Sequence, residues 1–170
     1  PDVTGDIAKS DFLAGKTGFY ISGPWDAGAC KEAGINYDVA PMPSLGGKPV
    51  TTFLGVQTAF VSEKSPNKEL AFDLLKYLSE NFTDTLIEKG GRIPASKAGV
   101  ASEKFKSNAN MVSFSEQAKV ATPMPNIPEI QAMWTPGGDT LKALTQGTLD
   151  PKAAGEQMVK QIAEGISQQK

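Results

Sequence analysis

Apolar positions along the chain alternate between helical spacing and short extended runs. Ile7 to Ala14 has helical spacing and stops at Gly15, after which residues 17–22 predict a short strand carrying Phe19, Tyr20 and Ile21. Gly23-Pro24 breaks that strand and leaves Trp25 on the connection, ahead of a weak helix from Asp26 to Ala33 that closes at Gly34. Tyr37 to Ala40 predicts a second strand. Pro41-Met42-Pro43 and Leu45-Gly46-Gly47-Lys48-Pro49 then predict a loop or irregular hairpin. Thr51 to Val61, with Phe53, Leu54, Val56, Ala59, Phe60 and Val61, predicts a long, central, buried strand interrupted at Gly55.

The remainder reads as helices. Ser65-Pro66 supplies an N-cap hydroxyl and a proline at the first helical position, and Leu70, Phe72, Leu74, Leu75, Tyr77 and Leu78 give the helix an apolar face. A second helix runs from Thr83 through Ile87 to Gly90-Gly91, where a left-handed cap is expected, and Arg92-Ile93-Pro94 is then extended. Ser102 to Ala121 lacks Gly and Pro and predicts one long helix, with a bend near Ser107-Asn108. Another begins at Ile130, Met133 and Trp134, breaks near Pro136-Gly137-Gly138 and resumes through Leu141 and Leu144. Asp150-Pro151 caps the last, whose stripe is Ala154, Met158, Val159, Ile162 and Ile166. Helices separating strands give an α/β class with a mainly parallel sheet.

Composition narrows what such a chain could do. It has 170 residues, 39% hydrophobic and 21% charged, enough for one domain with a core. Lys and Arg total 17 against 19 Asp and Glu, so there is no basic surface for nucleic acid, and a neutral ligand suits the balance. No apolar run is long enough to span a membrane. Residue 1 is proline with no leader behind it, which predicts a start inside a longer precursor. The absence of histidine removes imidazole triads, dyads and His-rich zinc sites, while Ser–Lys or paired-carboxylate chemistry stays open. The single cysteine, Cys30, can make no internal disulfide and reads as a small buried side chain.

Gly46-Gly47 and Gly90-Gly91 lack the spacing of a dinucleotide or phosphate loop and read as turn and cap. Carboxylate pairs such as Glu69 with Asp73 sit on solvated helix faces, so no catalytic residue, metal or cofactor is assigned. The two tryptophans tell more, because Trp25 and Trp134 stand beside Gly-Pro or Pro-Gly breaks and not in the middle of an apolar face. A flat ring on rigid backbone suits the C–H face of a sugar; an ordinary half-buried tryptophan is the alternative.

Gly15-Lys16, the run from Phe19 to Ser22 and Gly23-Pro24-Trp25 resemble a segment of the maltose/maltodextrin-binding proteins of ABC transporters. The resemblance continues in order through residues 37–43, Phe53-Leu54-Gly55-Val56, residues 65–71 and Met124-Pro125-Asn126-Ile127-Pro128 with Trp134. It implies the C-terminal portion of a two-lobed, type II periplasmic-binding-protein-like fold that closes over a sugar, and a binding protein, not an enzyme.

By the same resemblance Trp25 and Trp134 are sugar-stacking rings and Met124 lines the cleft. The aromatic that follows Trp134 in the best-known maltose binders, and the arginine four residues on, are replaced here by Thr135 and Gly138. The implied partners are a malto-oligosaccharide, a transporter permease and an N-terminal half of the same protein. The implied location is extracytoplasmic, either periplasmic or as a cell-surface lipoprotein. Residues 1–58 and 109–170 would belong to the C-lobe, with 59–108 an excursion into the N-lobe. The rival readings are a carbohydrate-active enzyme fragment and a binder of another sugar or small solute.

Overall fold

The computed structural model describes residues 3–169; residues 1, 2 and 170, at the ends of the expected C-lobe segments, lie outside the described residues. The chain divides into two compact units, one holding Gly5–Pro123 and the other residues 124–169 with residues 3–4.

The first unit opens with α1 (Gly5–Leu13), ended by Gly15 at φ +70°, a left-handed position that a side chain would strain. A 3₁₀ turn (Pro24–Asp26) leads directly into α2 (Ala27–Glu32), and the two share Asp26 as their junction. A two-residue hairpin follows, β1 (Ser44–Leu45) against β2 (Lys48–Pro49), turned by Gly46 and Gly47, both at positive φ. β3 (Phe53–Leu54) pairs in parallel with β4 (Thr122–Pro123). Gln117 ties these pieces together: its Oε1 accepts from the Met42 amide at 2.9 Å and its Nε2 donates to the Val50 carbonyl at 3.0 Å.

Strands are the main departure from the expectation. Residues 17–22 and 37–40 form no strand, with a bend at Gly18, and Thr51 to Val61 contributes only Phe53–Leu54 to a ladder. An apolar, β-branched run is not enough for a strand, which also needs a neighbour to take its N–H and C=O groups. Here β4 supplies two residues' worth, and the expected central strand leaves Phe60 87% exposed with Val56 also open to solvent.

Helices follow the sequence more closely. α3 (Lys68–Asn81) starts two residues later than Ser65-Pro66 suggests, because the Ser65 hydroxyl accepts from the Asn67 amide at 3.2 Å in a turn before the helix. α4 (Thr83–Glu88) ends at a left-handed Gly91, φ +55°. A short α5 (Lys97–Ala101), capped by Ser96, was not anticipated. The expected single helix over 102–121 is two, α6 (Glu103–Lys106) and α7 (Ala109–Ala118). The Asn108 side chain accepts from the Met111 amide at 3.1 Å and starts a new helix where a bend was foreseen. Ile87, Phe105 and Met111 form the buried cluster of this unit, with Ile93, Val100 and Val112 packed on it.

In the second unit a 3₁₀ segment (Pro128–Met133) runs into α8 (Trp134–Thr145), which passes through Pro136-Gly137-Gly138 without the expected break. Pro136 is the third residue of α8, in the first turn, where a missing N–H removes no bond within α8. α9 (Pro151–Ser167) is capped as expected, with Asp150 Oδ1 accepting from the Lys152 and Ala153 amides at 2.9 and 3.0 Å. Its stripe buries Ala154 and partly buries Met158, Ile162 and Ile166 against α8 and the 3₁₀ segment, while Val159 faces solvent. Among the described residues no helix is long and apolar enough to cross a membrane.

Candidate functional site

Trp25 occupies the middle of the 3₁₀ turn and is 58% exposed. Its presentation depends on two features of the chain around it. The first is Gly23, in extended backbone at φ -118°: a Cβ there would lie 2.1 Å from the indole ring, so only glycine leaves the ring where it is.

The second is Asp26, only 7% exposed, whose carboxylate accepts from the Tyr20 hydroxyl at 3.0 Å and from the Ser22 hydroxyl, and pairs with Lys9 Nζ at 2.6 Å. Burial pushes the Asp26 pKa up, but hydrogen bonds from Lys9, Ser22 and Tyr20 and the attraction of the Lys9 ammonium outweigh it, and the net shift is downward. Tyr20 in turn packs against Phe12 of α1, ring centroids 5.5 Å apart. The turn bearing Trp25 is thereby fastened to α1 and to the segment before Gly23.

A depressed carboxylate pKa fixes the sign of a test. Asp26 contributes stability that is complete above its unfolded pKa of about 3.9 and is lost as pH falls through the lower folded value. Asp26→Asn is expected to lower unfolding free energy by about 1–2 kcal/mol at pH 7, allowing for the partial exposure of Lys9, with the difference shrinking toward pH 2. Denaturant unfolding of parent and variant at the two pH values checks this; a difference that does not depend on pH would remove the charge from the explanation.

Cys30 is buried within α2, and burial, then the Asp26 charge, push its thiol pKa up, so it stays protonated at neutral pH.

Across from the Trp25 turn, Arg92 places its guanidinium carbon over the indole, 5.5 Å from the ring centroid. The Gly90-Gly91 corner brings it there, and a Cβ on Gly91 would meet the Pro24 carbonyl oxygen at 2.9 Å.

The other two expected site residues lie in the second unit. Trp134 opens α8 and is 48% exposed; Met124 stands at the start of the unit and is also exposed. Two open depressions, one lined by Ile87, Lys104 and Asn108 among others and one by Thr135, Asp139 and Gln161 among others, include none of Trp25, Met124 or Trp134. Among the described residues no group of three or more His, Cys, Asp or Glu could hold a metal ion. The sequence reading missed Asp26 and Arg92 as parts of the Trp25 site. The adjacency of Asp26 to Trp25 was the only signal, and that of Arg92 is wholly tertiary.

The family described as bacterial extracellular solute-binding protein matches residues 2–112. A galactooligosaccharide-binding protein of Bacillus subtilis is 36% identical over 154 residues, covering 89% of this chain and 37% of the relative. A maltooligosaccharide ABC transporter solute-binding lipoprotein of Streptococcus pneumoniae is 31% identical over 166 residues, covering 96% and 39%. Among solved structures, the maltose-binding periplasmic protein of Listeria monocytogenes in complex with maltose superposes with a TM-score of 0.84 at 33% identity, covering 97% of this chain and 43% of that one. The maltose-maltodextrin binding protein of Alicyclobacillus acidocaldarius gives 0.82 at 36% identity, covering 93% and 43%. The chain thus spans about two fifths of the length of the relatives it matches.

Proposed function

The chain belongs to the bacterial extracellular solute-binding proteins and carries part of their α/β, type II periplasmic-binding-protein fold, and from that premise we propose that it supplies the C-terminal part of a malto-oligosaccharide-binding protein working with an ABC transporter. The observation that carries the proposal is Trp25: a solvent-exposed indole held on a turn that Asp26 fastens and Gly23 clears. A sugar ring laid on that indole buries its C–H face, and its hydroxyls need donors and acceptors at the rim. Trp134 and Met124 are proposed as further contacts in the same cleft. No covalent step is needed. Ligand contacts to both lobes favour the closed form, which a membrane permease would recognise outside the cytoplasm.

The lobes are proposed to be discontinuous, with residues 1–58 and 109–170 in one and 59–108 in the other. In support, α3 of the 59–108 segment has no buried residue although it carries an apolar face. A second sugar class is favoured by a specific observation, the 36% identity to a galactooligosaccharide-binding protein. Calorimetry of the full-length protein against maltotriose, longer maltodextrins and β-galactooligosaccharides decides between them. Malto-oligosaccharides are expected to bind most tightly; tighter galactooligosaccharide binding would move the assignment to that sugar. Release of glucose or maltose from maltotriose would overturn the binding-only reading.

A further inference from the structure

Arg92 is the only arginine among the 17 basic residues of the chain. Of all the places a guanidinium could sit, it lies on the proposed sugar platform. Arg92 is half-buried, and among the described residues it makes no ion pair and no side-chain hydrogen bond. Its approach is built: the Arg92 amide donates to the Leu86 carbonyl at 3.2 Å, and Gly91 takes a left-handed φ of +55° against the Pro24 carbonyl. Two glycines, 23 and 91, are what let ring and guanidinium meet, and Trp25 still remains more than half exposed.

We propose that Arg92 is a ligand-binding residue, donating from its guanidinium to hydroxyl oxygens of the sugar unit that stacks on Trp25. This rests on the reading of Trp25 as a sugar platform. The guanidinium carbon lies 5.5 Å from the indole centroid, so its planar fork of N–H donors stands beside a sugar unit that covers the part of the ring left open. A neutral diol accepts two such bonds at once, as a carboxylate would.

The test uses the full-length protein, with calorimetry of maltotriose and a panel of monodeoxy maltotrioses on the parent, Arg92→Met, Arg92→Lys and Trp25→Ala. Methionine keeps the apolar stem and loses every donor. Arg92→Met is expected to bind maltotriose about 10- to 100-fold more weakly with an unchanged thermal midpoint, and lysine to recover part of the loss. At one or two hydroxyl positions, deoxygenation should weaken the parent but leave Arg92→Met unaffected, a signature that mere support of the indole would not produce. Maltotriose affinity of Arg92→Met within twofold of the parent, or equal losses across the panel in both proteins, overturns the assignment. If Trp25→Ala is weakened and Arg92→Met is not, Arg92 alone is misassigned; if Trp25→Ala binds like the parent, the platform reading fails and this inference with it.

Discussion

Trp25→Ala is expected to weaken malto-oligosaccharide binding by the full-length protein about 10- to 100-fold, and Trp134→Ala to weaken it as well, with both thermal midpoints within a few degrees of the parent. The separation of effects follows from where the rings sit. With Trp25 58% and Trp134 48% exposed, neither ring fills the core, so truncation opens no cavity of the kind that costs several kcal/mol. On the proposed reading, what truncation removes is the exposed part of a flat apolar surface that the sugar would cover. The loss should be larger at Trp25, where the ring also carries the Arg92 guanidinium and where the Asp26 cluster has already fixed the turn, so little ordering is left for the sugar to do. Calorimetry with differential scanning of the same samples checks both halves. Affinities equal to the parent in both variants would show that neither indole is a platform; large drops in midpoint would show that the rings are structural.

Much of this was visible in the order of residues, for physical reasons that also mark the limit. Gly-Pro before Trp25 announces a rigid break, and a large ring at a break has little chance of lying in a helix or strand face, so its exposure was legible. Helix ends were legible wherever the cap is local, as at Asp150-Pro151 and Gly91. Two local signals misled. Pro136 reads as a breaker until its position in the first turn is known, and Ser65 reads as a cap although it serves the turn before. The strands were illegible in length, because the period-2 pattern reports which backbone is extended and says nothing of how much partner strand is present. Arg92 over Trp25 spans 67 positions and rests on a left-handed glycine touching a distant carbonyl. No spacing rule encodes such a contact.

The isolated 170-residue chain is expected to self-associate and to unfold without a sharp cooperative transition, and to become a compact folded species when the N-terminal half proposed for the full-length protein is supplied. Its own core is small: among the described residues the buried apolar side chains are Cys30, Ile87, Phe105, Met111 and Ala154. The apolar inventory that should close a domain lies outside that core. α3 leaves Leu70 70% exposed and Phe72, Leu74, Tyr77 and Leu78 open, and Phe82 and Leu86 continue the surface into α4. Phe19, Ile21, Val56 and Phe60, outside any helix or strand, add further exposed apolar side chains. A 14-residue helix is marginal without tertiary packing, and contiguous apolar surface of this extent drives association. A sheet from the remaining three fifths of the relatives' length is the occupant proposed for the α3 face. Light scattering and near-UV circular dichroism of the chain alone and with the complementary half measure both effects. A monomeric, cooperatively unfolding 170-residue chain would show that these surfaces need no cover, and the assignment of residues 59–108 to a second lobe would be withdrawn.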